Sequence, residues 1–467
     1  MSLRSGCRRG RHHRLRLRVT GALAAGAVLL LGSAAPGLAA APVVGDGAAA
    51  AAPAPSTPVA PPGPEAGPGQ WYIGTYGIDR MWERTTGKGV TVAVIDSGVN
   101  ADHENLRDTV VGAKDFSGTG KDGTTPVGPE ETIHHGTAVA GVIAGTGEGM
   151  GPIGVAPDAD ILSASMWLGS GLPDGAQPSR TQAAEALRWA VDSGAKVVNM
   201  SLGWNDPTWS ADWDEAFAYA YEKDVVVVAC VGNRSQGATQ AWAPSTVPGV
   251  VGVGGLARNG HVLPAASAPG TAVDLMGPAE DIPVPWYDGG YAQAQGCSFA
   301  APVVAGVAAL LRSADPALSA DQVVAKLEST AAPVAGHTFT PEAGDTAQPD
   351  PTVGHGRVDP PAALEAPVPE QVRSASAELR EWVRMHRRDE VDDAAEGGDA
   401  GPAGGAVEAG TSAAPEAARP VLAGPLVLAV AGGSAVVLGG LAGVWEWRRR
   451  RASGPPSETA PEAPAER

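Results

Sequence analysis

A run of apolar residues that ends in a carboxylate constrains the fold of this chain more than any other feature. Residues Val90–Ile95 are almost continuously apolar, and Asp96 follows them directly. Such a run is typical of a central strand in a parallel sheet, because that strand is covered on both faces. Open α/β sheets place their chemistry at the carboxyl ends of their strands. The run therefore predicts an α/β fold in which Asp96 lies where a functional residue is expected.

A second stretch presents a single serine at the start of a helix. Gly296–Pro302 is a turn of small residues around Ser298, and the apolar run Val303–Leu311 follows it with helical character. The first N–H groups of a helix have no partner within the helix, and the dipole is positive there. Ser298 is therefore predicted to lie where a developing negative charge is favoured.

A serine hydroxyl is a poor nucleophile unless a base takes its proton, and the base needs a partner that orients it. A histidine pair, His134 and His135, stands just before a small, apolar helical segment. The order along the chain is Asp96, then the histidine pair, then Ser298. These residue types could supply the partner that orients the base, the base and the nucleophile, respectively.

Five blocks of sequence resemble those of the subtilisin-like serine proteases and occur in the same order as in that family. They are Val92–Gly98, His134–Gly141, Val197–Gly203, Val228–Asn233 and Gly296–Pro302. The resemblance implies a three-layer α/β fold, with a central, mainly parallel sheet flanked by helices. It also implies the hydrolysis of peptide bonds in proteins or peptides.

The resemblance assigns a catalytic role to three residues. Ser298 would attack the peptide carbonyl, His135 would move the proton, and Asp96 would orient the imidazole. His135 is chosen because it stands first in the family's His-Gly-Thr motif, and His134 is expected to be a neighbour without a catalytic role. Cys297 is the alternative nucleophile, but the position at the helix start favours Ser298.

The resemblance also implies residues that bind the substrate. Asn233 would bind the oxyanion together with the backbone N–H of Ser298, whereas Gly-Asn in isolation would indicate only a turn. Ser201, Leu202 and Gly203 would form the edge that pairs with the substrate backbone. Without the resemblance, these three residues would be an ordinary strand end and turn.

Few residues suggest a metal, a cofactor or a disulfide framework. Asn105 stands where many subtilisins have an aspartate that binds calcium, and because the charge is lower here we do not predict that calcium site. We expect no metal and no cofactor. Cys230 and Cys297 each lie inside a motif block, and Cys7 lies in the basic leader. The first two could form a disulfide or remain free buried thiols.

The composition divides the chain into six predicted segments. Residues 1–41 combine arginines, an apolar stretch and small residues, as in a secretory signal, and an uncleaved membrane anchor is the alternative. Residues 421–444 are apolar and uncharged, long enough to cross a bilayer, and Arg448–Arg451 follow them. The segments are a signal peptide (1–41), a disordered Pro/Ala-rich segment (42–69), a protease domain (70–364), a flexible linker (365–419), a transmembrane helix (421–444) and a basic, then disordered tail (445–467).

This plan predicts a single-pass cell-membrane protein with an extracellular protease domain and a cytoplasmic C-terminus. Among subtilisin-like proteases it resembles the membrane-anchored mycosins of type VII secretion, which implies the membrane complex of that system as a partner. The net charge of −18 argues against a nucleic-acid partner. Two alternatives remain open: a structural scaffold of the secretion complex, or a housekeeping surface protease unrelated to type VII secretion.

Overall fold

The computed structural model describes residues 64–149, 151–337 and 349–387. The predicted signal peptide, transmembrane helix and tail lie outside the described residues. The chain divides into two units, the first ending at Val383 and the second beginning at Arg384. Residues 384–387 are the described part of the second unit.

Seven parallel strands form the central sheet, in the order β2-β3-β1-β4-β5-β6-β7. They are β1 (Thr91–Asp96), β2 (Val110–Asp115), β3 (Asp160–Ser165), β4 (Val197–Met200), β5 (Val226–Cys230), β6 (Val251–Leu256) and β7 (Leu275–Pro278). Two further strands, β8 (Ile282–Pro285) and β9 (Tyr291–Ala294), form a small antiparallel sheet. The prediction of an α/β fold with a mainly parallel sheet is confirmed.

Nine α-helices surround the sheet within the described residues. They are α1 (Trp71–Tyr76), α2 (Ile78–Trp82), α3 (His135–Ala144), α4 (Ser179–Asp192), α5 (Ala211–Glu222), α6 (Cys297–Ala314), α7 (Ala320–Ser329), α8 (Pro360–Glu365) and α9 (Ala375–His386). Helices α3 and α6 pack on one face of the sheet, and α4 and α5 pack on the other. This arrangement gives the three layers that the sequence predicts.

Strand β1 lies in the middle of the sheet and contributes to both halves of the core. Val92 and Val94 belong to the core that contains α3 and α6, whereas Ala93 and Ile95 belong to the core that contains α4 and α5. Successive side chains of a strand point to opposite faces. Asp96 therefore continues the face of Val92 and Val94, toward α3 and α6.

Asp96 lies at the end of the strand where the strand order of the sheet reverses, which is called a topological switch point. Strand β1 pairs with β3 on one side and with β4 on the other, so the chain order reverses direction at β1. Ligands of open α/β sheets bind outside the carboxyl ends of the strands at such a point. The fold alone therefore indicates a site next to Asp96.

Helix α6 is the central helix of the domain. Among the described residues it is the one helix long and apolar enough to cross a membrane, and 89% of that span is buried. A core helix of a globular domain has the same composition. The predicted start of a helix near Ser298 is confirmed, since α6 begins at Cys297.

Helix α9 lies in the range predicted as a flexible linker. Its Leu379 is 1% exposed and belongs to the core that contains α4 and α5. The ring of Trp382 lies 4.3 Å from that of Trp209. In this part of the range the chain is thus helical and packed, and the packed chain extends beyond residue 364.

Candidate active site

The carboxylate at the end of β1 holds an imidazole from α3. The side chain of Asp96 is fully buried, and that of His135 is 18% exposed. The Nδ1 atom of His135 lies 2.9 Å from both Oδ1 and Oδ2 of Asp96. The backbone N–H of Ser97 also donates to Oδ1 of Asp96 (2.7 Å), which fixes the carboxylate. Bonded in this way, Nδ1 carries the proton and Nε2 is free to accept one.

Helix α3 lies next to the end of β1 because the two backbones are in close contact. A Cβ atom at Gly136 would lie 2.4 Å from the carbonyl oxygen of Gly98, so only glycine fits there. The hydroxyl of Ser97 accepts the N–H of Gly136 (2.9 Å) and donates to the carbonyl oxygen of Ile133 (3.1 Å). The start of α3 is thereby joined to the end of β1.

The two adjacent histidines have different environments. Burial lowers the pKa of His135, but the charge of Asp96 and its hydrogen bond more than offset this, so that the pKa is raised. Burial and the nearby His135 lower the pKa of His134 to about 4, and its ring stacks on Trp286 at 3.8 Å. The geometry pairs Asp96 with His135 and leaves His134 outside the pair.

The start of α6 is hydrogen-bonded to the residue that follows β4, because a proline inside α6 leaves a carbonyl oxygen without its helical partner. Pro302 has no N–H, so the carbonyl oxygen of Ser298, four residues earlier, loses its helical partner. The hydroxyl of Ser201 donates to that oxygen (2.8 Å) and accepts the side-chain amide of Asn199 (2.9 Å). The predicted substrate-binding Ser201 thus also fixes the turn that presents Ser298.

The hydroxyl of Ser298 faces the cavity that His135 lines. It donates to the carbonyl oxygen of Ser201 at 3.2 Å. Within the described residues no hydrogen bond joins it to His135. Such bonds are often long in unliganded sites and shorten with the substrate bound. The structure therefore brings the hydroxyl and the imidazole to one cavity without a direct bond.

Asn233 is held beside the start of α6. Its Oδ1 accepts the backbone N–H of Cys297 (3.0 Å), and its Nδ2 donates to Oε1 of Gln236 (3.1 Å). Gly296 allows this approach, since its φ is 137° and a Cβ there would lie 3.2 Å from Oδ1 of Asn233. The amide donor thus lies in the same cavity as Ser298.

Cys230 and Cys297 form a disulfide, which resolves the alternative that the sequence leaves open. Their Cα atoms are 5.2 Å apart, within the usual range. The bond joins the end of β5 to the residue before Ser298, and Sγ of Cys230 lies 3.9 Å from the Ser298 hydroxyl. A cysteine in a disulfide has no free thiolate, which removes Cys297 as a nucleophile.

Asn105 is fully buried where many subtilisins have an aspartate. Its side-chain amide donates to the carbonyl oxygen of Pro152 (2.9 Å), and its backbone carbonyl accepts the N–H of Thr146 (2.9 Å). The residue therefore joins two loops by amide hydrogen bonds.

Leu202 and Gly203, which are predicted to bind the substrate, line the same cavity. Sequence reasoning missed three residues: Ser97, which fixes the start of α3, Gln236, which accepts from Asn233, and Trp242, which lies in the wall of the cavity. The Gly-Asn pair could have drawn attention to Gln236, which lies three residues after Asn233. No local sequence pattern marks Trp242, because the position of Trp242 in the cavity depends on the path of a loop.

The parallel sheet, with a buried Asp–His pair and a serine at a helix start beside its strand ends, defines the class of the subtilisin-like serine proteases. The chain belongs to the Subtilase family (peptidase S8), whose family model matches residues 87–356.

Proteins that are similar to this chain agree with this class. Mycosin-4 of Mycobacterium tuberculosis is 36% identical over 342 residues, which cover 64% of this chain and 70% of that protein. Fervidolysin of Fervidobacterium pennivorans is 32% identical over 325 residues, and the chain spans only 44% of its length. The structure of the MycP3 protease from the type VII (ESX-3) secretion system is 30% identical, with a TM-score of 0.53, and the match covers 64% of this chain and 88% of that one. The chain is thus a subtilisin-like serine protease similar to mycosins.

Proposed function

We propose that this chain is a membrane-anchored extracellular serine endopeptidase that uses Asp96, His135 and Ser298. The observation that carries the catalytic part of the proposal is the contact of His135 Nδ1 with both oxygens of the buried Asp96 at 2.9 Å. That contact supports a neutral imidazole whose Nε2 atom can act as the base, since His135 and Ser298 line the same cavity.

In the proposed reaction, the Ser298 hydroxyl leaves the carbonyl oxygen of Ser201 and turns to Nε2 of His135. His135 takes the proton while Oγ attacks the scissile carbonyl, and it later gives the proton to the leaving amine. The side-chain amide of Asn233 gives up its hydrogen bond to Gln236 and donates to the oxyanion instead. The backbone N–H of Ser298 also donates to the oxyanion. Water then hydrolyses the acyl-enzyme with His135 as the base.

Labelling with a fluorophosphonate probe tests this assignment. We expect the wild-type chain to be labelled, and Ser298→Ala and His135→Ala to lose the label. His134→Ala is the matched control, since it changes the adjacent histidine, and it should keep the label. Labelling that survives in Ser298→Ala would contradict the proposed nucleophile.

We further propose that the protease works in type VII secretion. The likeness to Mycosin-4 and to a protease of the ESX-3 system supports this role. The test is secretion in a strain that lacks the gene and carries either the wild-type or the Ser298→Ala chain. If Ser298→Ala restores secretion and substrate processing fully, the chain is a scaffold. A normal secretion profile in the deletion strain would favour a housekeeping protease.

The membrane anchor is proposed from the apolar residues 421–444 and the four arginines at 448–451. We expect the full-length chain to stay in the membrane pellet after alkaline carbonate extraction. A chain that ends at residue 419 should be released into the medium. Retention of the shorter chain in the pellet would contradict this topology.

A further inference from the structure

Trp242 lies in the wall of the cavity next to Ser298, and its backbone is fixed on both sides. Its N–H donates to the carbonyl oxygen of Val231 (3.1 Å), and its carbonyl oxygen accepts the hydroxyl of Ser245 (2.7 Å). The residue is 8% exposed. The indole therefore keeps a defined place in the cavity.

The indole packs between the segment that ends at Gly203 and the segment that contains Gly232. A Cβ atom at Gly203 would lie 3.2 Å from Cε3 of Trp242, and one at Gly232 would lie 2.8 Å from its Cδ2. Gly203 ends the predicted substrate-binding edge, and Gly232 precedes the proposed oxyanion residue Asn233. The ring thus occupies the space between the two segments that flank the reacting serine.

We expect the side chain before the scissile bond (P1) to enter this space. The P1 carbonyl would contact the Ser298 hydroxyl and Asn233, and the substrate backbone would pair with the predicted edge at Ser201–Gly203. The P1 side chain would then lie in the cavity beside Gly203 and Gly232. A large side chain would overlap the indole, and a close-packed wall does not yield at low cost.

We propose that Trp242 fills the P1 pocket and restricts cleavage to sites after small residues, namely glycine, alanine and serine. The inference rests on the proposed protease function and adds its substrate class. Removal of the ring opens the pocket, so Trp242 is a residue that determines specificity and takes no part in the chemistry.

Packing alone holds the indole, which makes a conservative variant informative. Within the described residues, Nε1 of Trp242 has no hydrogen-bond partner. Trp242→Phe therefore keeps most of the bulk and loses no side-chain hydrogen bond, and it should retain the preference for small P1 residues. Trp242→Gly should admit large ones.

The test uses the purified full-length chain and peptides that differ only at P1: glycine, alanine, serine, leucine and phenylalanine. We expect kcat/KM for alanine to exceed that for phenylalanine by about 100-fold in the wild type. In Trp242→Gly the ratio should reverse, mainly through KM for phenylalanine. Trp189→Ala is the matched control, because Trp189 of α4 packs against Phe116 and does not line this cavity, so its loss should leave the ratio unchanged.

Equal cleavage after alanine and phenylalanine by a wild-type chain that reacts with the fluorophosphonate would overturn this inference alone. No reaction with the fluorophosphonate would overturn the proposed function as well. Since the wild-type profile and Trp242→Phe each give a result, the test does not depend on correct folding of Trp242→Gly.

Discussion

At the scale of the residue, His135 is subject to two opposing effects. Burial disfavours its charged form, whereas the carboxylate of Asp96 favours it, and the carboxylate prevails. The adjacent His134 has no such carboxylate contact, and its pKa falls to about 4. One position along the chain thus separates an imidazole with a raised pKa from one that stays neutral at physiological pH.

The pH profile of catalysis should report this difference. A base must be unprotonated, so we expect kcat/KM to fall with decreasing pH through a pKa above the ordinary value of about 6.5. In Asp96→Asn only burial still acts on the pKa of His135, so the acidic limb of the pH profile should move to lower pH. We also expect kcat to drop about 10⁴-fold. Steady-state kinetics across pH measure both effects. A limb that stays in place in Asp96→Asn would argue against Asp96 as the cause.

The proposed oxyanion site allows a second prediction at this scale. Asn233→Ala removes the amide donor, and we expect kcat to fall about 10²- to 10³-fold with little change in KM. Gln236→Ala is the control, because it removes only the acceptor that occupies Nδ2 in the free enzyme. It should leave kcat unchanged or raise it. A larger loss in Gln236→Ala than in Asn233→Ala would be inconsistent with the assignment.

At the scale of the element, the disulfide and the Ser201 hydrogen bonds join β4, β5 and the start of α6. These contacts fix the turn of Ser298 from two neighbouring strands. Because the first turn of α6 carries both the proposed nucleophile and the proposed backbone donor to the oxyanion, movement of this turn would disturb both functions.

Reduction of the Cys230–Cys297 bond should therefore lower stability and activity together. The bond closes a chain segment with a sequence separation of 67, which on the chain-entropy model contributes about 4 kcal/mol. We expect denaturant unfolding of the wild-type chain to shift accordingly with reductant, and kcat to decrease. The double variant Cys230→Ser/Cys297→Ser should not respond to reductant. An equal response of this variant would exclude the disulfide as the cause.

At the scale of the whole molecule, α9 adds a C-terminal helix to the core of the first unit. We expect Leu379→Ala to lower the free energy of unfolding by about 2–5 kcal/mol, because it opens a cavity in that core. The control is Met385→Ala on the same helix, where the side chain is 51% exposed and the change should stay within about 0.5 kcal/mol. Equal stabilities of the two variants would mean that α9 is dispensable.

The sequence predicts those features of the molecule that local patterns encode. The apolar run before Asp96 indicates a doubly covered strand, because burial of both faces removes the alternation of polar residues. The small residues around Ser298 and the apolar run after them likewise indicate the start of a helix. The order of the five blocks indicates the family, which the match to residues 87–356 confirms.

By itself, then, the sequence determined the strand that ends at Asp96, the start of the helix at Ser298, the class of protein and which residues to examine. Only the tertiary structure decided that Ser201 replaces the bond lost at Pro302, that Cys230 joins Cys297, that α9 packs on the core, and that Trp242 stands between Gly203 and Gly232. The physical reason is distance along the chain. Periodicity and turn chemistry act over a few residues, whereas most of these contacts join residues that lie tens of positions apart and meet only when the sheet is assembled.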